Sequence, residues 1–469
     1  MHSHSLEKKI IILSVIWLMP VVLFILDPLK GSSSLALWFA TLASLLVSFK
    51  DKRYFVFFLP FVAVLSPLVQ EVKIINLYPS DFFILILGVF LIWKIVMKRQ
   101  RVIRLHYGDV ILITLMLVVF ISYIFSFEHQ LLLKSIANWF LIIISFLSCR
   151  MYLSNKDLKL YFLTLTISIL LSSLLIIFSY FDNITLNNLI YLNQVGVSLY
   201  TEDLSRASYF YTNIGFLIAV VILFLYTRLF DNSHKINKIV TILFMVILIL
   251  SLVVMLEKTA LFALLLTVIL STTLFFYKLR IRIRIVFISV VLLCTIVGIY
   301  LFQLSYVQNI DLFNGFHVSG FKQRLCVFSS TMDVLFDNVG RFIFVGFGPD
   351  SSILLTGNEN IDASKVSCGG ESEGAIDSTY ITFLFEYGLI FTLLFLIYLI
   401  KIIEKIFFRI LQSKKPFNGF LVYYFMIMIY FSISFISDTV GTSKIMWIVA
   451  QLFALSPIIL TNNKNIESK

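Results

Sequence analysis

Apolar runs of roughly 20 residues recur from one end of this chain to the other. They lie near 10–26, 33–49, 54–70, 81–97, 109–127, 131–149, 158–181, 208–227, 237–256, 259–277, 285–303, 378–400, 417–437 and 444–461. Wound as an α-helix, a run of that length spans the hydrocarbon core of a bilayer, about 30 Å. A helix also closes its own backbone hydrogen bonds, which lipid demands. The pattern predicts an all-α polytopic integral membrane protein with roughly 12–14 transmembrane helices. Composition agrees: 60% of the 469 residues are hydrophobic, 13% are charged, and the mean hydropathy is +0.98. That balance excludes a soluble globular domain. The run 54–70 carries Pro60 and Pro67, so it reads as short, kinked or re-entrant. The run 10–26 follows Lys8 and Lys9 and meets Asp27-Pro28 rather than a small-residue cleavage site. It reads as a first span, not as a signal peptide.

The formal charge is +11, but the basic residues sit in short clusters between apolar runs. Such clusters are topology signals, so no nucleic acid partner is expected. With the N-terminus in the cytoplasm, 27 of the 37 Lys and Arg fall on the inside. Both termini are then cytoplasmic. The organisation reads as N-terminal transmembrane helices (1–181), an extended outer loop (182–207), central helices (208–303), a large outer loop (304–377) and C-terminal helices (378–469). No internal repeat is visible, which argues against a transporter built on inverted repeats.

The 304–377 loop is the long polar segment of the chain, and function is expected there. Within it, Phe321, Leu325, Phe328, Met332 and Leu335/Phe336 fall at helical spacing. They predict an amphipathic helix lying against the membrane surface. Arg324 sits at the edge of that stripe. Its guanidinium suits either a phosphate clamp or a snorkelling anchor. Cys326 and Cys368 share the loop, and a disulfide between them and two free thiols both stay open. The six histidines are scattered, no Cys/His spacing fits a metal, and no P-loop is present, so no cofactor is expected.

Other candidates flank the spans. Arg206 lies at the outer end of a span, against the usual charge bias, with Glu202 and Asp203 as available partners. Lys258 opens a span beside Glu257. Arg341 precedes the turn Gly346-Phe347-Gly348-Pro349, whose glycines allow close backbone approach. Asp377 is placed to cap the span that starts at Ser378. Glu386 lies about 13 Å further along that helix, where an ionisable group is costly and points either to a functional site or to an internal ion pair.

In combination these segments resemble the superfamily of O-antigen polymerases (Wzy) and O-antigen ligases (WaaL). The resemblance rests on Arg206-Ala-Ser-Tyr-Phe-Tyr-Thr-Asn-Ile-Gly215, on Glu257-Lys258-Thr259-Ala260-Leu261, and on a third, split segment. The third comprises Gly346-Phe347-Gly348-Pro349, then Asp377-Ser378-Thr379-Tyr380-Ile381 and Phe385-Glu386-Tyr387-Gly388-Leu389. Order, topology and a single large outer loop match over about 200–400. The resemblance implies a fold related to the GT-C glycosyltransferases. It implies a substrate of undecaprenyl-diphosphate-linked oligosaccharide, handled at the periplasmic face of a bacterial inner membrane. Ligases usually carry His before Asn where this chain has Asp377-Ser378, which favours a polymerase. The implied roles are Arg206 and Arg324 on the leaving diphosphate, with Lys258 and Arg341 assisting, and Asp377 as the late proton acceptor. Tyr380, Tyr209 and Tyr211 are candidates for holding glycan, Glu386 for substrate binding. A Wzz-like chain-length co-polymerase and membrane lipids are the implied partners. The competing readings are a ligase and a polysaccharide flippase or exporter.

Overall fold

The computed structural model describes residues 14–23, 25, 32–65, 79–98, 107–124, 129–181, 214–230, 238–254, 258–275, 332, 335–348, 379–412, 419–437 and 444–461. These residues are almost entirely helical, and no strand occurs among them. In chain order the helices are α1 (Ser14–Leu23), α2 (Ser32–Lys50), α3 (Arg53–Leu65), α4 (Pro79–Lys98) and α5 (Tyr107–Ile124). Then come α6 (His129–Tyr152), α7 (Leu158–Phe181), α8 (Ile214–Phe230), α9 (Lys238–Val254) and α10 (Lys258–Phe275). The last are α11 (Val339–Phe344), α12 (Thr379–Gln412), α13 (Gly419–Ser437), α14 (Lys444–Ala454) and α15 (Ser456–Thr461). Among the described residues, three stretches are long and apolar enough to cross a membrane: Pro79–Val96, Asn155–Phe178 and Thr379–Gln412. The expected run at 285–303 lies outside the described residues.

The chain forms two compact units. The first takes residues 1–104, 138–261 and 442–469. Its centre is α3. Every residue from Tyr54 to Leu65 is buried, Pro60 included, and α2, α4, α7 and α14 pack around it. A helix apolar on all sides belongs in such a centre. The 13 described residues of α3 measure about 20 Å. Polar side chains tie the surrounding helices together. Ser145 and Cys149, one turn apart on α6, donate to the carbonyls of Trp447 and Gln451, one turn apart on α14, at 2.7 and 3.5 Å. Small polar residues at this spacing let two backbones approach closely. Tyr161 Oη donates to Gln451 Oε1 at 3.0 Å. At the start of α3, Arg53 reaches Asp51 at 2.6 Å and the buried Asp157 at 3.0 Å. Asp157 also accepts from the backbone N–H and hydroxyl of Ser154.

This unit turns apolar stripes outward. On α4 these are Leu85, Val89, Ile92, Trp93 and Val96. On α2 they are Leu35, Phe39, Leu42, Leu46 and Phe49. On α9, Ile239, Ile242, Leu243, Val246 and Leu250 do the same. Continuous exposed apolar stripes at helical spacing are unfavourable in water and suit a lipid surface.

The second unit takes residues 105–137 and 262–441. It is built on α12, which packs along α5 and α13 and carries α11 near its N-terminal end. Sequence reading ends a span near Ile400, but the helix runs to Gln412. The added turns bury Ile402, Ile406 and Ile410, four residues apart, and pair Lys401 with Glu404 at 2.8 Å.

Candidate functional site

The site is a break in α12. Gly388 adopts φ 84°, ψ 177° inside an otherwise helical run of 34 residues. Only glycine enters that backbone region without steric cost. The break takes carbonyls on its N-terminal side out of the α-helical ladder, and buried carbonyls must find other donors. They find them in the turn that follows α11. Phe347 N donates to Phe385 O at 2.9 Å and Gly348 N donates to Glu386 O at 3.0 Å. Ser122 Oγ, buried on α5, lies 2.7 Å from Glu386 O and also within hydrogen-bonding reach of Val345 O. Its one proton serves one of these carbonyls at a time.

The turn fits the break because both sides are glycine. Gly346 and Gly348 have φ of 66° and 101°. A Cβ on Gly346 would lie 2.5 Å from the carbonyl carbon and oxygen of Glu386 and 2.6 Å from Phe385 O. A Cβ on Gly388 would lie 3.0 Å from Phe342 O and 3.1 Å from the nitrogens of Val345 and Gly346. Backbone against backbone cannot move aside as a side-chain tip can. Between the glycines, Phe347 stacks on Phe385 with centroids 4.7 Å apart. Leu335 completes that buried cluster, flanked by Met332, Phe342, Ile381 and Leu384.

Two functional candidates hang on this arrangement. Arg341 lies half-buried in α11, and its carbonyl accepts from Val345 N at 3.0 Å and Gly346 N at 2.7 Å. It neighbours Phe342, whose carbonyl faces Gly388. Glu386 is 4% exposed, two residues before the break, and its own carbonyl takes the Gly348 bond. Thr379 and Thr382 lie buried on the same helical face as Glu386. The N-terminal half of α12 thus carries a buried polar stripe that ends at the break.

No protein-family model matches this chain, and no curated protein matches it.

Gly346-Phe347-Gly348 and Phe385-Glu386-Tyr387-Gly388, grouped by resemblance, are joined by direct backbone hydrogen bonds. The described end of the predicted amphipathic stripe differs from expectation. Leu335 is fully buried against Phe347 and Phe385, with Met332 beside it, instead of facing a membrane surface; Phe336 is exposed. The stacked aromatic pair offers Leu335 a protein surface that the sequence alone does not reveal. Tyr380 makes contacts that the sequence does not show. Its hydroxyl donates to Ser432 O at 3.2 Å and its ring packs on Phe435, so it ties α12 to α13. Lys258 opens α10 where a span was expected. Arg206, Tyr209, Tyr211, Arg324, Asp377, Cys326 and Cys368 lie outside the described residues. Among the described residues no group of His, Cys, Asp and Glu is arranged to hold a metal. Sequence reading missed Ser122 altogether. A serine within an apolar run is an ordinary helix residue, and nothing local signals that it faces a broken helix.

Proposed function

We propose that this protein is a polysaccharide (O-antigen) polymerase of the bacterial inner membrane. It joins undecaprenyl-diphosphate-linked oligosaccharide repeat units at the periplasmic face by glycosyl transfer. The observation that carries the reading is the glycine turn seated on the break in α12. It brings two parts of the split third segment of the resemblance into one place, beside the buried Glu386, on a helix apolar enough to cross a membrane. Irregular backbone at membrane depth is tolerated where protein encloses it or a cavity lies beside it, and broken helices there often bind substrate. The outward apolar stripes support a multi-pass arrangement, with both termini in the cytoplasm by the charge pattern.

In this reading the acceptor sugar hydroxyl attacks the anomeric carbon of the growing chain. The bond from that carbon to the diphosphate oxygen breaks, and its electron pair leaves with the diphosphate. Arg206 and Arg324 take up the developing charge, because guanidinium forks bind phosphate oxygens in pairs. Arg341 and Lys258 add positive charge. Asp377 accepts the hydroxyl proton as the new bond forms. The diphosphate linkage supplies the driving force. A Wzz-like co-polymerase is the proposed partner for chain length.

The test is the lipopolysaccharide ladder of a strain lacking the gene, with and without a wild-type copy. Core bearing a single repeat, restored to long chains by the copy, is the expected result. Bare core with lipid-linked long chains assigns the chain to the ligases instead. An unchanged ladder removes the O-antigen reading.

A further inference from the structure

Many serines and threonines in the apolar helices answer only their own helix. Thr164, Thr166, Ser168 and Thr267 each donate to a carbonyl three or four residues earlier. Ser122 behaves differently. From α5 it reaches two carbonyls on other elements, Val345 O at the end of the Arg341 segment and Glu386 O at the break in α12. It is fully buried. The glycine surfaces give the turn and the break complementary shapes, but shape alone holds neither to a fixed point of α5. A hydrogen bond from one buried hydroxyl does.

We propose that Ser122 is a positioning residue for this site. Its one proton alternates between Val345 O and Glu386 O, which keeps the Val339–Gly348 segment and the break in α12 at the same point on α5 and thereby sets where Arg341 stands relative to Glu386. The inference rests on reading this place as the functional site. The link to Arg341 is direct. Val345 N and Gly346 N both bond Arg341 O, so a displacement of Val345 is carried to Arg341. A misplacement of about 1 Å in a group that acts on the transition state lowers turnover by as much as 100-fold. Loss of such positioning lowers kcat and leaves KM largely unchanged, because ground-state binding is retained.

The experiment uses the full-length protein in nanodiscs. Hydrogen–deuterium exchange is followed in peptides covering 339–348, and polymerisation of a lipid-diphosphate-linked repeat unit is measured in parallel. Ser122→Ala is expected to speed exchange at Phe347 and Gly348 about tenfold, the usual scale of one lost buried hydrogen bond. It is expected to lower kcat by 10-fold or more with KM within about twofold. Ser122→Thr, which keeps the hydroxyl, restores both. Ser145→Ala removes a comparable serine-to-carbonyl bond in the first unit and leaves both unchanged. Where Ser122→Ala fails to fold, Ser122→Thr against Ser122→Val compares equal shapes with and without the hydroxyl. Unchanged exchange at 339–348 overturns the anchoring. Faster exchange with wild-type turnover overturns the positioning role. If the wild-type protein makes no polymer, the polymerase reading falls, and the exchange arm still decides whether Ser122 holds the segment.

Discussion

Gly346 and Gly388 close on each other across the break in α12. A Cβ on Gly388 would stand 3.1 Å from Gly346 N, and a Cβ on Gly346 would stand 2.5 Å from the carbonyl of Glu386. Each glycine has positive φ, and each is boxed by backbone rather than by side-chain tips. Strain and clash therefore act together at both positions.

Gly346→Ala and Gly388→Ala are each expected to destabilise the second unit by about 2–4 kcal/mol, combining left-handed strain with backbone overlap. Gly340→Ala is the contrast. Its added methyl meets nothing within 4 Å, and alanine favours the helix by about 0.5–1 kcal/mol. Thermal unfolding in detergent reads the difference. Equal melting temperatures for Gly346→Ala and Gly340→Ala contradict the account of the turn.

Gly88→Ala tests the same logic where the obstacle is soft. Its methyl would meet Ile144 Cδ1 at 2.6 Å, the far end of a flexible side chain. Rotation of Ile144 and the helix preference of alanine offset each other, so the change in stability stays under about 1 kcal/mol. A loss as large as that of Gly388→Ala refutes the distinction between backbone and side-chain neighbours.

The Arg53–Asp157 pair is expected to hold the start of α3 to the start of α7. Asp157→Ala deprives Arg53 of one partner and Ser154 of the acceptor for both its backbone and its hydroxyl. The expected cost is about 2–3 kcal/mol, since hydrogen bonds to a charged acceptor are involved, while the half-exposed Arg53 keeps Asp51 and water. Chemical denaturation of the purified protein measures it, and a loss under about 0.5 kcal/mol counts against the pair as a structural tie.

The outward stripe on α4 predicts contact with lipid at Trp93, which is 60% exposed, whereas Trp447 is 1% exposed. In vesicles of brominated phospholipid, a variant keeping only Trp93 should be strongly quenched. One keeping only Trp447 should not. Equal fluorescence from the two removes the lipid-facing assignment of α4.

Arg206→Ala and Arg324→Ala are expected to leave the protein in the membrane and to abolish chains longer than one repeat. Lysine at either position rescues poorly, because a point charge replaces a two-pronged donor. Normal ladders from both alanine variants exclude a diphosphate clamp made by these residues.

The helices themselves were legible in the sequence because a backbone that must satisfy its hydrogen bonds within one segment leaves a periodic apolar record, residue by residue. Runs read at 33–49, 81–97, 158–181 and 417–437 correspond closely to α2, α4, α7 and α13. The glycines at 346 and 348 were visible too, as residues that permit unusual backbone, whereas Gly388 stood out only as part of a segment that carries the resemblance. What they permit was not visible. A break in a helix is stable only when distant groups donate to its freed carbonyls, and those groups lie on α5 and after α11, far away in the chain. The same reason hid Ser122, the inward turn of Leu335, the central burial of α3 and the use of Tyr380 as a helix tie. Local periodicity decides that a segment is a helix and how apolar its faces are. Which face meets protein, and which carbonyl meets which donor, is decided only when segments remote in sequence are packed together.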